Sequence, residues 1–433
     1  MPRKRHPRVD AGPRFALVAL AACCISSLSV GMAAAGGPIY SEFHLGCRAN
    51  FTGAFQLPDA AFFTNATPAL NDAGQLAIYL TVLDAGADTR GVFMDDGTTA
   101  GVVYTGPAGA FLGDVSLGPQ GRLVFQQTFA AIDGIYFYDA GDGTSGLLTT
   151  EPFGASSWGS PQINGSGQVG LRASFFAGQA YASWGGGSAT IHAAEAGLDP
   201  SSPYSFLFTP SFDGQRRIAG KVRLGQSGQV GSDRPDEIRI FATDGSSVLI
   251  AEDDDGNPAS PFSGFDNSVS LTDSGWVAFV AFTVSGGRGV FLSNGVETRT
   301  IALEGDPGVS EIEFFSPAAN DDGLVAFRGK DDQNLQAIFA GDGGSLVRVI
   351  GEHDLVETDL GTARLDQNDS SPIFGGGPAI NARGDIAFAA GLTPPDNDQI
   401  EWGSGLFVAR RADSIFVDGF ESGDLLAWSS SFP

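Results

Sequence analysis

Apolar residues in this chain fall in short runs, each closed by Gly, Asn, Asp or Pro, and no stretch after the first 36 residues sustains a helical 3.6-residue period. One pattern recurs, a turn ending in Gly followed by an apolar strand. The copies read Pro68-Ala-Leu-Asn-Asp-Ala-Gly74-Gln-Leu-Ala-Ile78, Val115-Ser-Leu-Gly-Pro-Gln-Gly121-Arg-Leu-Val-Phe125 and Pro161-Gln-Ile-Asn-Gly-Ser-Gly167-Gln-Val-Gly-Leu171. A copy read as shortened follows, Pro210-Ser-Phe-Asp-Gly214-Gln-Arg-Arg-Ile218. The last three are Val269-Ser-Leu-Thr-Asp-Ser-Gly275-Trp-Val-Ala-Phe279, Pro317-Ala-Ala-Asn-Asp-Asp-Gly323-Leu-Val-Ala-Phe327 and Pro378-Ala-Ile-Asn-Ala-Arg-Gly384-Asp-Ile-Ala-Phe388. Their glycines stand 47, 46, 47, 61, 48 and 61 residues apart.

Each copy continues alike. A second strand such as Gly289-Val-Phe-Leu or Ala337-Ile-Phe-Ala comes next, then a hairpin dipeptide such as Asp96-Gly97, Asp244-Gly245 or Asn294-Gly295, then a third strand. Asp-Gly and Asn-Gly supply the positive φ that a two-residue hairpin demands. With the segment before the recurring turn, each unit holds four strands, and four-stranded units of this period arranged about an axis are propeller blades. The expected fold is therefore all-β, a seven-bladed β-propeller of four-stranded antiparallel blades over residues 36–411. The last copy lacks an outermost strand. Residues 39–57 are expected to pair there and close the ring; the competing strand is 414–417.

Composition agrees with this reading. Gly supplies 61 of 433 residues, twice the ordinary ~7%. A 42% hydrophobic content with 33 Phe suffices for a core and excludes global disorder, and 17% charged residues argue against coiled coils. Residues 1–35 have a basic start, an uncharged stretch from Phe15 and an Ala33-Ala34-Ala35 end, the pattern of a secretory signal peptide. An uncleaved anchor and a lipoprotein signal at Leu20-Ala-Ala-Cys23, with Cys23 lipidated, are the alternatives. Removing 1–35 takes away five basic residues and one acidic one, moving the formal charge from −26 to −30. Such a surface repels phosphate backbones and excludes nucleic-acid binding. Only Cys47 then remains, which rules out an intrachain disulfide or a Cys-based zinc site.

The turn-plus-strand unit resembles the repeats of TolB-like propellers, with Pro210-Ser-Phe-Asp-Gly214 nearest to their turn. The Asn-x-x-Gly-x-Val-Ala-Phe form looks more like repeats of bacterial secreted proteins of unassigned function. This resemblance covers about residues 58–411 and implies a fold without supplying catalytic residues. The end of the chain (412–433), with Phe420-Glu-Ser-Gly-Asp424, resembles a terminal segment of some secreted Gram-negative proteins. It is read either as a sorting segment or as a tail packed on the body.

Chemistry is sparse. His44, His192 and His353 are the only histidines after the leader, and neither His-Glu-x-x-His nor a phosphate-binding Gly loop with Lys-Ser/Thr occurs. Asp253, Asp254 and Asp255 place hard oxygens together as calcium requires, without completing a calcium loop. No other cofactor is expected. The longest loops, 224–237, 352–374 and 392–404, should open on one face. Glu352, His353, Asp354, Glu357 and Asp359, with Asp366 and Asp369 near, form the best candidate patch for a cation or basic ligand, or a solvated acidic loop. His353 beside carboxylates would suit an acid/base pair. The leading expectation is a secreted, monomeric, non-catalytic binding or scaffold protein, without membrane insertion once cleaved, whose ligand is a glycan, peptide or protein. Its alternatives are an extracellular hydrolase or lyase acting on polysaccharide or peptide, and a surface-anchored structural protein.

Overall fold

The computed structural model describes residues 37–63, 65–84, 87–130, 132–149, 154–368 and 372–412. The leader with Cys23, Asp369, the competing strand at 414–417 and the terminal segment lie outside the described residues. Seven antiparallel sheets follow one another in chain order and make a seven-bladed propeller. Blade 5 shows the plan: Phe262–Leu271 innermost, then Val277–Thr283, Arg288–Ser293 and Thr298–Leu303 outermost.

The recurring Phe residues explain why these strands pair in this register. Phe279, Phe327 and Phe388 on second strands lie opposite Phe291, Phe339 and Phe407 on third strands. Their rings stack at centroid distances of 5.8, 5.4 and 5.4 Å. The buried apolar residues fall into seven clusters, one at each interface between neighbouring blades. Sheet-on-sheet packing is thus repeated seven times round the ring.

The last blade takes its outermost strand from the other end of the chain. Tyr40–Ala49 pairs antiparallel with Gly403–Arg411, from Tyr40 opposite Arg411 to Ala49 opposite Ser404. Arg48, 1% exposed, clamps the seam. Its guanidinium holds Asp359 through two 2.8 Å bonds and donates to the carbonyls of Trp402 and Gly53. Cys47 is fully buried in the same strand, and burial pushes its thiol pKa up, away from the reactive thiolate.

The recurring turn joins the innermost strand to the second, and its Asn works across blades. Asn71, Asn164, Asn320 and Asn381 donate through Nδ2 to the carbonyls of Gly118, Asp213, Asn381 and Asn71 in the following blade's turn. The last bond joins blade 7 to blade 1. Asp273 and Asp321 do the equivalent between blades 4, 5 and 6, accepting from the Gly214 and Ser274 N–H groups.

Blade 4 corrects the sequence reading. Its copy is not shortened. Asp213 stands where blades 1, 3, 6 and 7 have Asn, and Arg216, at φ +63°, occupies the place of the turn glycine, with its N–H donating to the Asp213 carbonyl. Gly214 lies two residues earlier and lacks a positive φ, so aligning on that glycine misplaces the turn. The equivalent turn positions in blades 3, 4 and 5 are therefore Gly167, Arg216 and Gly275.

Every innermost strand is irregular halfway. It is interrupted between Phe62 and Ala69, Leu207 and Ser211, and Ile312 and Ala318. It shifts register in blades 2, 3, 5 and 7. Pro68, Pro161, Pro210, Pro317 and Pro378 sit at these points, where a missing ladder N–H does no harm. Carbonyls freed by the breaks are met by a cation from the preceding blade. Arg172, Lys221 and Arg328, each the fourth residue of a second strand, donate to Leu207, Phe265, and both Phe374 and Gly376.

Candidate functional site

The inter-blade bonds between recurring turns put all those turns on one face of the ring, the turn face. The blade-to-blade connections and the loops between second and third strands therefore open on the other, the junction face. The sequence-derived candidates among the described residues lie there, and Glu195 and Glu304 on this face staple backbone. Glu195 accepts from the Gln179 N–H of its own blade and the Leu207 N–H of the next, both at 3.0 Å. Glu304 repeats this with Arg288 and Ile312 at 2.9 and 3.0 Å. Burial raises the Glu195 pKa, and those two N–H bonds oppose the rise.

Asp253, Asp254 and Asp255 are not gathered around a common point. Asp253, 3% exposed, turns inward; its two oxygens accept from the N–H groups of Asp236 (2.8 Å) and Gly256 (3.1 Å). Asp255 is exposed. Burial raises the Asp253 pKa above the ordinary carboxylate value. The arrangement is that of a turn cap.

The 352–374 segment is not the open loop that its composition suggests. Leu355–Thr358 and Gly361–Leu365 form a hairpin whose second strand pairs with the end of Ile386–Thr393. Gly361, at φ +98°, permits its tight turn. This hairpin disperses the candidate patch. Asp359 is held by Arg48, Asp354 pairs with Arg348 at 2.6 Å, and Glu357 accepts from the Thr362 hydroxyl. Glu352 and His353 stay together and gain Asp366. The His353 Nε2 lies 3.9 Å from the Glu352 carboxylate and 3.7 Å from that of Asp366. These three form the group of potential metal ligands found among the described residues. Arg364, 2.6 Å from the same Asp366 oxygen, already neutralises it. The other histidines are structural in placement. His192 is buried against Ser183 and the Phe241 carbonyl, and burial lowers its pKa to about 4; His44 pairs with Asp95 on the outermost strand of blade 7.

The central channel encloses a cavity of about 490 Å³. Its described lining contains no charged side chain and no histidine. Hydroxyl residues occupy one level of it: Thr67, Ser160, Thr209, Ser268 and Ser316, each at an inner-strand irregularity. Gly377 and Asp114 hold the equivalent chain positions in blades 7 and 2. Thr67 accepts from the Gly377 N–H, and Ser316 donates to the Pro317 carbonyl. The hydroxyls of Ser160, Thr209 and Ser268 make no hydrogen bond to the described residues. Sequence reading overlooked this ring, although a signal was present. A Ser or Thr precedes the first Pro of four copies, in Thr67-Pro68, Ser160-Pro161, Thr209-Pro210 and Ser316-Pro317.

Residues 224–417 match a family described as a family of unknown function (DUF7453). No curated protein matches the sequence. Similar solved structures include TolB from Acinetobacter baumannii, at 14% identity and TM-score 0.39, covering 60% of this chain. The chain spans 59% of that TolB chain. An oligogalacturonate lyase from Vibrio parahaemolyticus is similar at 11% identity and TM-score 0.49, covering 88% of this chain and 99% of its own. A puromycin-hydrolyzing peptidase from Mycobacterium tuberculosis is similar at 12% identity and TM-score 0.47, covering 80% of this chain and 53% of its own.

Proposed function

We propose that this protein is a non-catalytic binding module that takes its ligand at the junction-face mouth of the central channel. The observation that carries the reading is a contrast in polar groups. The described channel lining offers partnerless hydroxyls and no titratable side chain, and the Glu195 and Glu304 carboxylates of the junction face are engaged by backbone N–H groups; Asp266, on the inner strand of blade 5, keeps one buried oxygen without a partner and does not line the cavity. General acid–base chemistry needs a group free to exchange a proton beside the reacting atom. Recognition needs only a concave, partly apolar wall with a few placed polar groups. Location outside the cytoplasm belongs to the same proposal and rests on the leader pattern of residues 1–35. Mass spectrometry of the mature chain should find Gly36 at its N-terminus.

The test is a screen of the purified protein against oligosaccharide and peptide arrays, followed by product analysis of each bound compound. Binding without turnover, weakened by Thr209→Val with Ser268→Ala, is the expected result. Cleavage of a bound compound contradicts it. One observation favours a second reading as hydrolase or lyase: His353 stands between Glu352 and Asp366 with an exposed ring. Under that reading His353→Gln abolishes turnover and leaves binding intact.

A further inference from the structure

Phe314 sits in the interrupted inner strand of blade 6 and lines the channel cavity, yet it is 68% exposed. An exposed aromatic ring is usually free to turn, but this one is held. The Arg288 guanidinium lies 3.0 Å from its centroid and is itself only 7% exposed. Arg288 is fixed in turn by donation to the Ile312 carbonyl at 2.5 Å, and the Phe282 ring stands 6.4 Å from that of Phe314. One face of Phe314 is thus backed by a fixed cation, and the side chain borders the cavity that Ser268, Thr209 and Ser160 line.

We infer that this mouth binds an uncharged carbohydrate, with a pyranose ring stacked on Phe314 and its hydroxyls meeting the Ser/Thr level of the channel. This inference rests on the binding reading above. Four arguments select the ligand class. A sugar ring has an apolar C–H face that suits an aromatic surface and a rim of hydroxyls that both donate and accept, as the partnerless Ser and Thr hydroxyls do. An anionic ligand meets a chain of formal charge −26 and no described cation in the channel lining. A cationic ligand would gain little from Phe314, because Arg288 already lies against that ring and repels a second cation brought to it. A protein partner would call for a contiguous apolar core at the contact, whereas this mouth offers one held ring beside hydroxyls.

The test uses the full chain with neutral hexasaccharides of glucose, xylose and mannose, set against hexagalacturonate, chitosan hexamer and a basic peptide library. At least one neutral hexasaccharide should bind. Phe314→Ala should weaken it about tenfold or more and Phe314→Trp should preserve it, as for an aromatic anchor at a binding hot spot. Phe314 is exposed, so the Ala variant should melt with the parent. Absence of neutral-saccharide binding, or binding indifferent to Phe314→Ala, overturns the inference. If a charged saccharide or a peptide binds instead in a Phe314-dependent way, the ligand class is wrong and binding at the mouth survives. If all observed binding ignores Phe314, Thr209 and Ser268, the site itself is wrong.

Discussion

The two faces of the ring are built from the same repeats and have opposite characters. On the turn face, polar side chains join neighbours: Asn71, Asn164, Asn320, Asn381, Asp273 and Asp321 each bond to the next or preceding turn. Both ends of the described chain also leave there, since the Tyr40 hydroxyl donates to Gly384 and the Ala412 N–H to Ile39. The junction face carries Phe51, Phe111, Phe129, Phe176, Phe282 and Phe314, the exposed phenylalanines among the described residues. A repeat protein needs identical contacts wherever blades must lock together and tolerates divergence where they need not. The turn face therefore reads as the ring's hoop and the junction face as its variable side, where the proposed ligand would sit.

That contrast can be broken experimentally. The largest effect is expected where a buried cation ties blades together. Arg328, 1% exposed, bonds Glu313 and two carbonyls of the next blade. Arg328→Leu should cost about 3–5 kcal/mol by leaving Glu313 and those carbonyls unpaired, read as a lower denaturation midpoint. Acidification comes next. Burial lowers the His192 pKa to about 4 from the ordinary 6.5 of a solvated imidazole. The folded state thus favours the neutral ring, and this contribution is complete above pH 6.5. It is lost as pH falls through about 4, with a total on the order of 3 kcal/mol. His192→Gln should flatten the stability profile across that window; an unchanged slope would assign it to other groups. Asn381→Ala removes the blade 7 to blade 1 latch and the cap on Asp385 N–H, at an expected cost of about 1–3 kcal/mol. The smallest effect belongs to calcium. With both Asp253 oxygens engaged by N–H groups, adding calcium after chelation should leave the melting temperature unchanged, and a rise would place an ion at the Asp253–Asp255 turn.

Much of the hoop was legible in the sequence, because it depends on local rules repeated seven times. Val-Ala-Phe followed by Gly-Val-Phe or Ala-Ile-Phe marks two strands whose Phe residues stack, and the Asn-to-Gly turn marks the reversal between strands. What those turns do between blades was not legible, since a period along the chain says nothing of what the next blade presents. Blade 4 was misread for a related reason. Glycine is the usual holder of positive φ, but Arg216 holds it there. The candidate patch failed differently. Glu352 to Asp359 are neighbours in sequence, yet a short hairpin carries Asp359 to Arg48, 311 residues away, and leaves His353 with Asp366. The hydroxyl level of the channel was written in the Ser-Pro and Thr-Pro pairs, but its meaning depends on a shared axis that only the closed ring creates.

The most direct test of this division of labour reads stability and binding together on two variants, one from each face. Asn381→Ala should lower the melting temperature and leave saccharide binding intact well below it. Phe314→Ala should keep the melting temperature and remove the binding. The opposite pairing, with binding lost through Asn381 and indifferent to Phe314, would contradict the account.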